Sequence, residues 1–179
     1  LSIVMQEGQT LIKDYQRNRI MAFFDPATYA DTEAYQQLNS VIAIGSGQLW
    51  GKGLNNTDIA SVKNGNFLPE SQTDFIFAVI GEELGFIGSA AVILLLILIA
   101  MRCVSIARVA KDTAGMVIAA GMGSLIGIQG FMNIAVATMM MPNTGLPLPF
   151  VSYGLTSLVS LYIGIGFVLN VGLQPKKYQ

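Results

Sequence analysis

Four carboxylates stand at the start of a long apolar segment. Glu70, Asp74, Glu82 and Glu83 all fall within the stretch LPESQTDFIFAVIGEELGF, residues 68–86. A carboxylate serves as a general base when it lies within hydrogen-bond reach of the proton that it removes, and partial desolvation makes it more basic. Because Asp74 is followed directly by the apolar run FIFAVI, we predict a partly desolvated carboxylate suited to this chemistry.

The residues around Asp74 also allow a structural interpretation. Pro69 suits the first position of a helix and Glu70 its first turn, where the helix dipole favours an acid. This predicts a helix that starts at Pro69 and carries Glu70 and Asp74 on one face. Alternatively, Asp74 is an interfacial acid that caps a helix or pairs with a basic residue. Glu82 and Glu83 are interpreted as a capping or solvated pair.

A second candidate is the glycine-rich stretch GSGQLWGKG, residues 45–53. It is not a dinucleotide fingerprint, because the third glycine comes one residue late, and it is not a P-loop, because five residues separate Gly45 from Gly51 and Gly53 follows Lys52. What remains is a loop whose backbone can approach a ligand closely, with Lys52 able to meet an anion such as a phosphate. The alternative is that the glycines only make turns and Lys52 is solvated.

The elements that must position these residues are membrane-spanning helices. Of the 179 residues, 53% are hydrophobic and 12% charged, and the mean hydropathy is +0.56, a balance typical of membrane proteins. Apolar runs of spanning length predict three transmembrane helices, at about residues 84–101, 113–141 and 151–173. Residues 1–83 contain many turn signals and no such run, so they predict a large loop with short helices.

One of these short helices is predicted in TYADTEAYQQLNSVIAIG, residues 28–45. Apolar Ala34, Leu38, Val41 and Ile42 recur there at roughly helical spacing. We expect these side chains to form the apolar face of the helix.

Charge asymmetry sets the expected orientation, because Lys and Arg accumulate in short cytoplasmic loops. Basic residues follow the first and the last span: Arg102, Arg108, Lys111, Lys176 and Lys177. Both sides are therefore expected to be cytoplasmic, which places residues 1–83 outside the cell. The N-terminus does not read as a signal peptide, so we expect the chain to be the C-terminal part of a larger polytopic protein.

Composition also excludes some chemistry. The chain has no histidine, which removes His-based acid/base catalysis and His metal ligation, and its single Cys103 cannot form an internal disulfide. Ten of the eleven acidic residues lie within residues 1–84. Any chemistry is therefore expected on the outer side.

The second span and the loop after it carry further polar residues. Gln129 and Asn133 share one helix face, and amides hydrogen-bond between packed helices, so helix packing is the preferred interpretation and a polar path the alternative. The loop PNTGLPLP, residues 142–149, has too many prolines for regular structure and is expected to dip into the outer interface or lie on it and line a cavity. Ser152 and Tyr153 would be its polar contacts.

Three motifs, in this order and with these spans between them, resemble the C-terminal half of the SEDS family (RodA, FtsW, SpoVE): GSGQLWGKGL, LPESQTDFIFAVIGEELGFIG and TGLPLPFVSYG. The first leans towards the RodA branch. The resemblance implies a larger fold of about ten transmembrane helices. It also implies a peptidoglycan glycosyltransferase that polymerises undecaprenyl-linked lipid II on the outer face of the bacterial cytoplasmic membrane, and a class B penicillin-binding transpeptidase as partner. No nucleic acid is expected.

The family's catalytic aspartate carries over onto Asp74, in the context TDFIF. By resemblance, Asp74 deprotonates the acceptor sugar hydroxyl as it attacks the donor's anomeric carbon, with inversion. The substrate contacts would be Lys52, Glu70, Thr73, Ser152 and Tyr153. Lys52, Arg17 or Arg19, or a divalent cation such as Mg²⁺ or Mn²⁺, would offset the charge of the leaving diphosphate. The fragment alone is expected to be inactive, because the family's amino-terminal half supplies part of the substrate cavity.

Two positions depart from the family motifs. Gln72 stands where the family usually has His, and a glutamine cannot titrate, so this position cannot carry a proton. Leu155 stands where the family usually has Gly, which matters only if the backbone there needs positive φ or a close approach. Neither departure touches Asp74.

Two rival functions remain open. A lipid II flippase needs a hydrophilic path for a charged headgroup, whereas the predicted spans contain no Asp, Glu, Lys or Arg. A non-catalytic membrane scaffold for a penicillin-binding protein would leave Asp74 replaceable, whereas an enzyme would not.

Overall fold

The computed structural model describes residues 14–26, 28–29, 34–54 and 73–174. Every regular element in these ranges is an α-helix: α1 (Asp14–Phe24), α2 (Tyr35–Ser46), α3 (Ile76–Arg108), α4 (Thr113–Ala137) and α5 (Leu155–Leu173). The last three are long and apolar enough to cross a membrane. The predicted all-α polytopic membrane architecture with three spanning helices is confirmed.

The helices differ in length from the predicted spans. α3 extends beyond residues 84–101 at both ends, because the flanking sequence is also helix-compatible. α4 ends at Ala137 and α5 begins at Leu155, because the proline-rich connection occupies the residues between them. The helix predicted to start at Pro69 falls on residues outside the described ranges, and α3 itself begins at Ile76.

α3 and α4 form an antiparallel pair that small residues bring close together. A β-carbon on Gly123 would lie 3.0 Å from the carbonyl oxygen of Ala100 in α3. Ala119 and Ile126, one turn to either side on the same face of α4, are fully buried. Small residues on this face of α4 therefore allow α3 to pack closely against it.

The short helix predicted at residues 28–45 is observed as α2, and polar side chains are among those that it buries. Its buried side chains include Gln37 and Ser40, whereas Ile42 is 67% exposed. Gln37 Nε2 donates to the carbonyl of Val136 at 3.1 Å, and Ser40 Oγ donates to that of Ala137 at 2.7 Å. These carbonyls belong to the last turn of α4. Carbonyls at the end of a helix have no hydrogen-bond partners within that helix. In a membrane protein such groups must be satisfied by protein, so polar side chains turn inward.

α3 is interrupted at Gly85, whose φ of 65° and ψ of −161° are not helical. The segment after α2, residues 47–53, lies against this break and is here called the glycine loop. A β-carbon on Gly51 would collide with the Glu83 carbonyl, and one on Gly85 would collide with the Gly51 nitrogen. Both residues also have positive φ, so only glycine permits this close approach.

Backbone hydrogen bonds join the glycine loop to both sides of the break. The amides of Lys52 and Gly53 donate to the carbonyls of Glu82 and Glu83, at 2.9 and 3.0 Å. On the other side, the Phe86 amide donates to a carbonyl of the loop at 2.8 Å. The glycine loop therefore satisfies the groups that a broken helix leaves without partners.

An ion pair reinforces the same contact. Lys52 Nζ lies 2.9 Å from Glu82 Oε1, and Glu82 is only 2% exposed. The interpretation of Glu82 as a solvated or capping acid is therefore wrong. It is a buried carboxylate whose charge requires a partner inside the protein.

Removal of this partner should destabilise the protein. We expect Lys52→Met to lower the free energy of unfolding by about 3 kcal/mol, because the Glu82 carboxylate stays buried without its ammonium partner. The double variant Lys52→Met/Glu82→Met should recover most of that loss. Equilibrium unfolding of the full-length protein in mixed detergent micelles measures both values. Lys111→Met, at an exposed lysine, is the control, and equal stability of the two lysine variants would contradict the assignment.

Candidate functional site

Asp74 lies in the turn that leads into α3. Thr73 and Asp74 are partly buried, whereas Phe75 is fully buried and its carbonyl accepts a hydrogen bond from the Ala78 amide at 2.9 Å. Because α3 begins at Ile76, the carboxylate stands beside a helix N-terminus. The helix dipole favours a negative charge at that position.

The connection between α4 and α5 passes directly beside this carboxylate. Residues 142–154 are here called the proline loop. Gly145 in this loop has a φ of +69°, and a β-carbon on it would lie 3.5 Å from Asp74 Oδ2. The amide of Gly145 donates to Asn143 Oδ1 at 3.1 Å, which supports the turn. Gly145 therefore lies directly beside the Asp74 carboxylate.

Two amides on α4 hold the proline loop. Asn133 Nδ2 donates to the carbonyls of Asp74 and Leu146, each at 2.7 Å, and Gln129 Nε2 donates to the carbonyl of Pro147 at 2.9 Å. The prediction that these amides bond to another helix is wrong, since their partners are loop carbonyls. Backbone that is not helical and lies within the membrane needs hydrogen-bond donors from the protein, because no water is available there.

Ser152 connects the proline loop to the same turn. It is 1% exposed, its Oγ donates to the Thr73 carbonyl at 2.5 Å, and it accepts the Leu148 amide at 2.7 Å. Between Leu148 and Ser152, Phe150 adopts a φ of +63°, which is costly for a bulky residue. Its ring packs edge to face on Tyr162 of α5, with ring centroids 5.8 Å apart. The surrounding packing therefore holds a strained backbone in place.

The structure brings some of the predicted site residues together. Asp74, Thr73 and Ser152 lie within one hydrogen-bonded cluster. Tyr153 follows Ser152 but is 75% exposed, so its ring lies outside this cluster. Glu70 lies outside the described residues. Substrate binding by any of these residues stays a prediction.

The predicted cationic residues are not part of that cluster. Lys52 bonds to Glu82, which lies in the second turn of α3, and this carboxylate is the anion that the lysine meets. On α1, Arg17 is exposed and Arg19 is partly buried. Within the ranges that the structure describes, no three acidic or thiol side chains come together as metal ligands.

Sequence reasoning did not foresee what Asn133 and Gly145 contact. A usable signal existed for Asn133, because a polar side chain in an apolar span, followed by a proline-rich loop, has unsatisfied loop carbonyls within reach. Nothing in the spacing of Gly145 pointed to a carboxylate that stands 71 residues earlier in the chain.

The chain is similar to enzymes of known name over nearly its whole length. It is 42% identical over 166 residues to the peptidoglycan glycosyltransferase MrdB of Escherichia coli, a match that covers 93% of this chain and 44% of that one. It is 39% identical over 163 residues to the probable peptidoglycan glycosyltransferase FtsW of Geobacter metallireducens, a match that covers 91% and 42%. The chain therefore spans less than half the length of these relatives.

A solved structure shows the same arrangement of helices. A chain from work on the structural coordination of polymerization and crosslinking by a peptidoglycan synthase complex matches with a TM-score of 0.69 and 30% sequence identity, over 90% of this chain and 43% of that one. The model of the FTSW_RODA_SPOVE family, described as a cell cycle protein, matches residues 1–177. The chain thus belongs to this family, the SEDS family whose three motifs its sequence carries.

Proposed function

We propose that this chain carries the general base of a peptidoglycan glycosyltransferase, which polymerises lipid II on the outer face of the bacterial cytoplasmic membrane for cell elongation or division. The observation that carries the proposal is the position of Asp74. Its carboxylate lies at the start of a spanning helix, in a turn whose carbonyls are bonded to buried side chains, with Gly145 beside it. The names of the relatives agree with this activity.

The fold supports a location of Asp74 at the outer interface. α3 has 33 residues, which corresponds to about 50 Å, enough to cross the bilayer. Asp74 precedes one end of α3, whereas Arg102, Arg108 and Lys111 lie at the other end. Basic residues mark the cytoplasmic side, so Asp74 faces outward, where a lipid-linked substrate presents its sugars.

The reaction requires one proton acceptor. Asp74 removes the proton from the acceptor sugar hydroxyl as the oxygen attacks the anomeric carbon of the donor. The new glycosidic bond forms as the bond from that carbon to the diphosphate breaks, and the lipid diphosphate leaves with the bonding electrons. Attack opposite the leaving group inverts the configuration at the anomeric carbon.

A partner follows from the same comparison. The similar solved chain comes from a complex that couples polymerization to crosslinking. We therefore propose that the full-length protein works with a class B penicillin-binding transpeptidase. α4 and α5 contain no Asp, Glu, Lys or Arg, which disfavours a flippase path through these two helices.

We expect Asp74→Asn to reduce lipid II polymerisation about 100-fold or more, because an amide cannot accept the proton. The full-length protein and its partner transpeptidase are assayed at equal folded amounts, and glycan strands are resolved on gels. The matched control is Asp112→Asn, since Asp112 caps α4 through the Gly115 amide at 3.2 Å and asparagine caps equally well. Undiminished polymerisation by Asp74→Asn would remove the base role and favour the flippase or scaffold functions.

A side chain at position 145 should block access to the carboxylate. Gly145→Leu is expected to lower kcat/KM for polymerisation by about tenfold to 100-fold, because reacting groups tolerate little displacement. Gly53→Leu is the control, since Gly53 also has positive φ but a β-carbon there meets no atom within 4 Å. Both variants carry the backbone strain, and only the first should lose activity at equal folded amount. Equal losses would show that strain alone is responsible.

A further inference from the structure

The structure assigns Asn133 as a positioning residue for Asp74. Its side-chain amide donates hydrogen bonds both to the Asp74 backbone and to the proline loop, which passes beside the carboxylate. This inference rests on the proposed role of Asp74 as the base. It adds a residue that lies one helix away from the reacting groups and touches neither substrate nor the carboxylate itself.

The geometry of Asn133 is that of a bridge between two segments. A side-chain amide has two N–H donors, and both carbonyl partners of Asn133 Nδ2, on Asp74 and Leu146, lie at 2.7 Å. Leu146 directly follows Gly145, the residue whose β-carbon position lies 3.5 Å from Asp74 Oδ2. One amide therefore ties the Asp74 backbone to the loop that passes beside the carboxylate.

Ser152 makes the parallel connection one residue earlier. Its hydroxyl donates to the Thr73 carbonyl and accepts the Leu148 amide. The carbonyls of two consecutive residues, Thr73 and Asp74, are thus bonded to different donors. Fixing both peptide planes fixes the direction of the Asp74 Cα–Cβ bond, from which the carboxylate reaches its position, and a base needs such a fixed position to meet a hydroxyl repeatedly in the same geometry.

The acceptor side of Asn133 supports a role beyond stability. Asn133 is 1% exposed, and its Oδ1 has no hydrogen-bond partner among the residues that the structure describes. A buried acceptor without a partner costs free energy, which offsets part of what the two donated bonds contribute. Its two donated bonds are therefore the hydrogen bonds through which this side chain acts on its surroundings.

Gln129 offers an internal comparison. It lies one turn earlier on the same face of α4 and donates one bond, to the carbonyl of Pro147. It holds the proline loop without contacting the Asp74 turn through this bond. Replacing each residue by leucine separates the effect of holding the loop from that of holding Asp74.

The experiment compares Asn133→Leu with Gln129→Leu in the full-length protein with its partner transpeptidase. We expect Asn133→Leu to lower kcat for lipid II polymerisation about tenfold or more, with KM nearly unchanged, because only the chemical step depends on the direction of the base. Gln129→Leu should lose less than about threefold in kcat, and both variants are compared at equal folded amount, because each leaves carbonyls without a donor. If Asn133→Leu does not fold, Asn133→Ala provides the second variant, because it removes both donated bonds without adding volume.

The inference is wrong if Asn133→Leu keeps the wild-type kcat. It is also wrong if Asn133→Leu and Gln129→Leu lose kcat equally, because that result would show that only the position of the proline loop matters. Asp74→Asn is measured alongside. If it polymerises lipid II normally, the proposed function itself fails. If it is inactive while Asn133→Leu keeps wild-type kcat, only the positioning role fails.

Discussion

The structure depends on one constraint: backbone polar groups at membrane depth must find partners within the protein. Helices satisfy their own interior groups but not their ends or breaks. Polar contacts at three such places meet this need. Gln37 and Ser40 bond to the last turn of α4, the glycine loop bonds to the break at Gly85, and Asn133 bonds to the non-helical backbone beyond α4.

The same constraint places the candidate site. The carbonyls of Leu146 and Pro147 in the proline loop accept hydrogen bonds from α4, and Ser152 of the same loop donates to the Thr73 carbonyl, so the loop lies beside the turn before α3. Asp74 is held there as a consequence of backbone bonding, and its carboxylate stays directed toward Gly145. In the role that we propose for Asp74, a carboxylate held in this way needs no rearrangement when the substrate arrives, which is how a rigid site lowers an activation barrier.

Much of the fold could be predicted from the composition and from the lengths of the apolar runs, because a spanning helix requires about 20 consecutive apolar residues. Asp74 could be identified as a candidate general base from its sequence context and the family motif. Which face of α2 is buried could not be predicted. The rule that apolar side chains are buried assumes that water surrounds the protein, whereas Ile42 of this membrane protein is exposed. The partners of Asn133 and Lys52 could not be predicted either, since each pairing joins segments far apart in sequence and depends on how the helices pack.

The central claim is geometric, so an experimental structure of the full-length protein with its lipid-linked substrates bound tests it most directly. The quantity to measure is the distance from the nearer Asp74 carboxylate oxygen to the acceptor sugar hydroxyl. The account predicts a distance of about 2.6–3.2 Å, directly or through one water. A carboxylate turned away from the sugars, with Gly145 no longer beside it, would contradict the account.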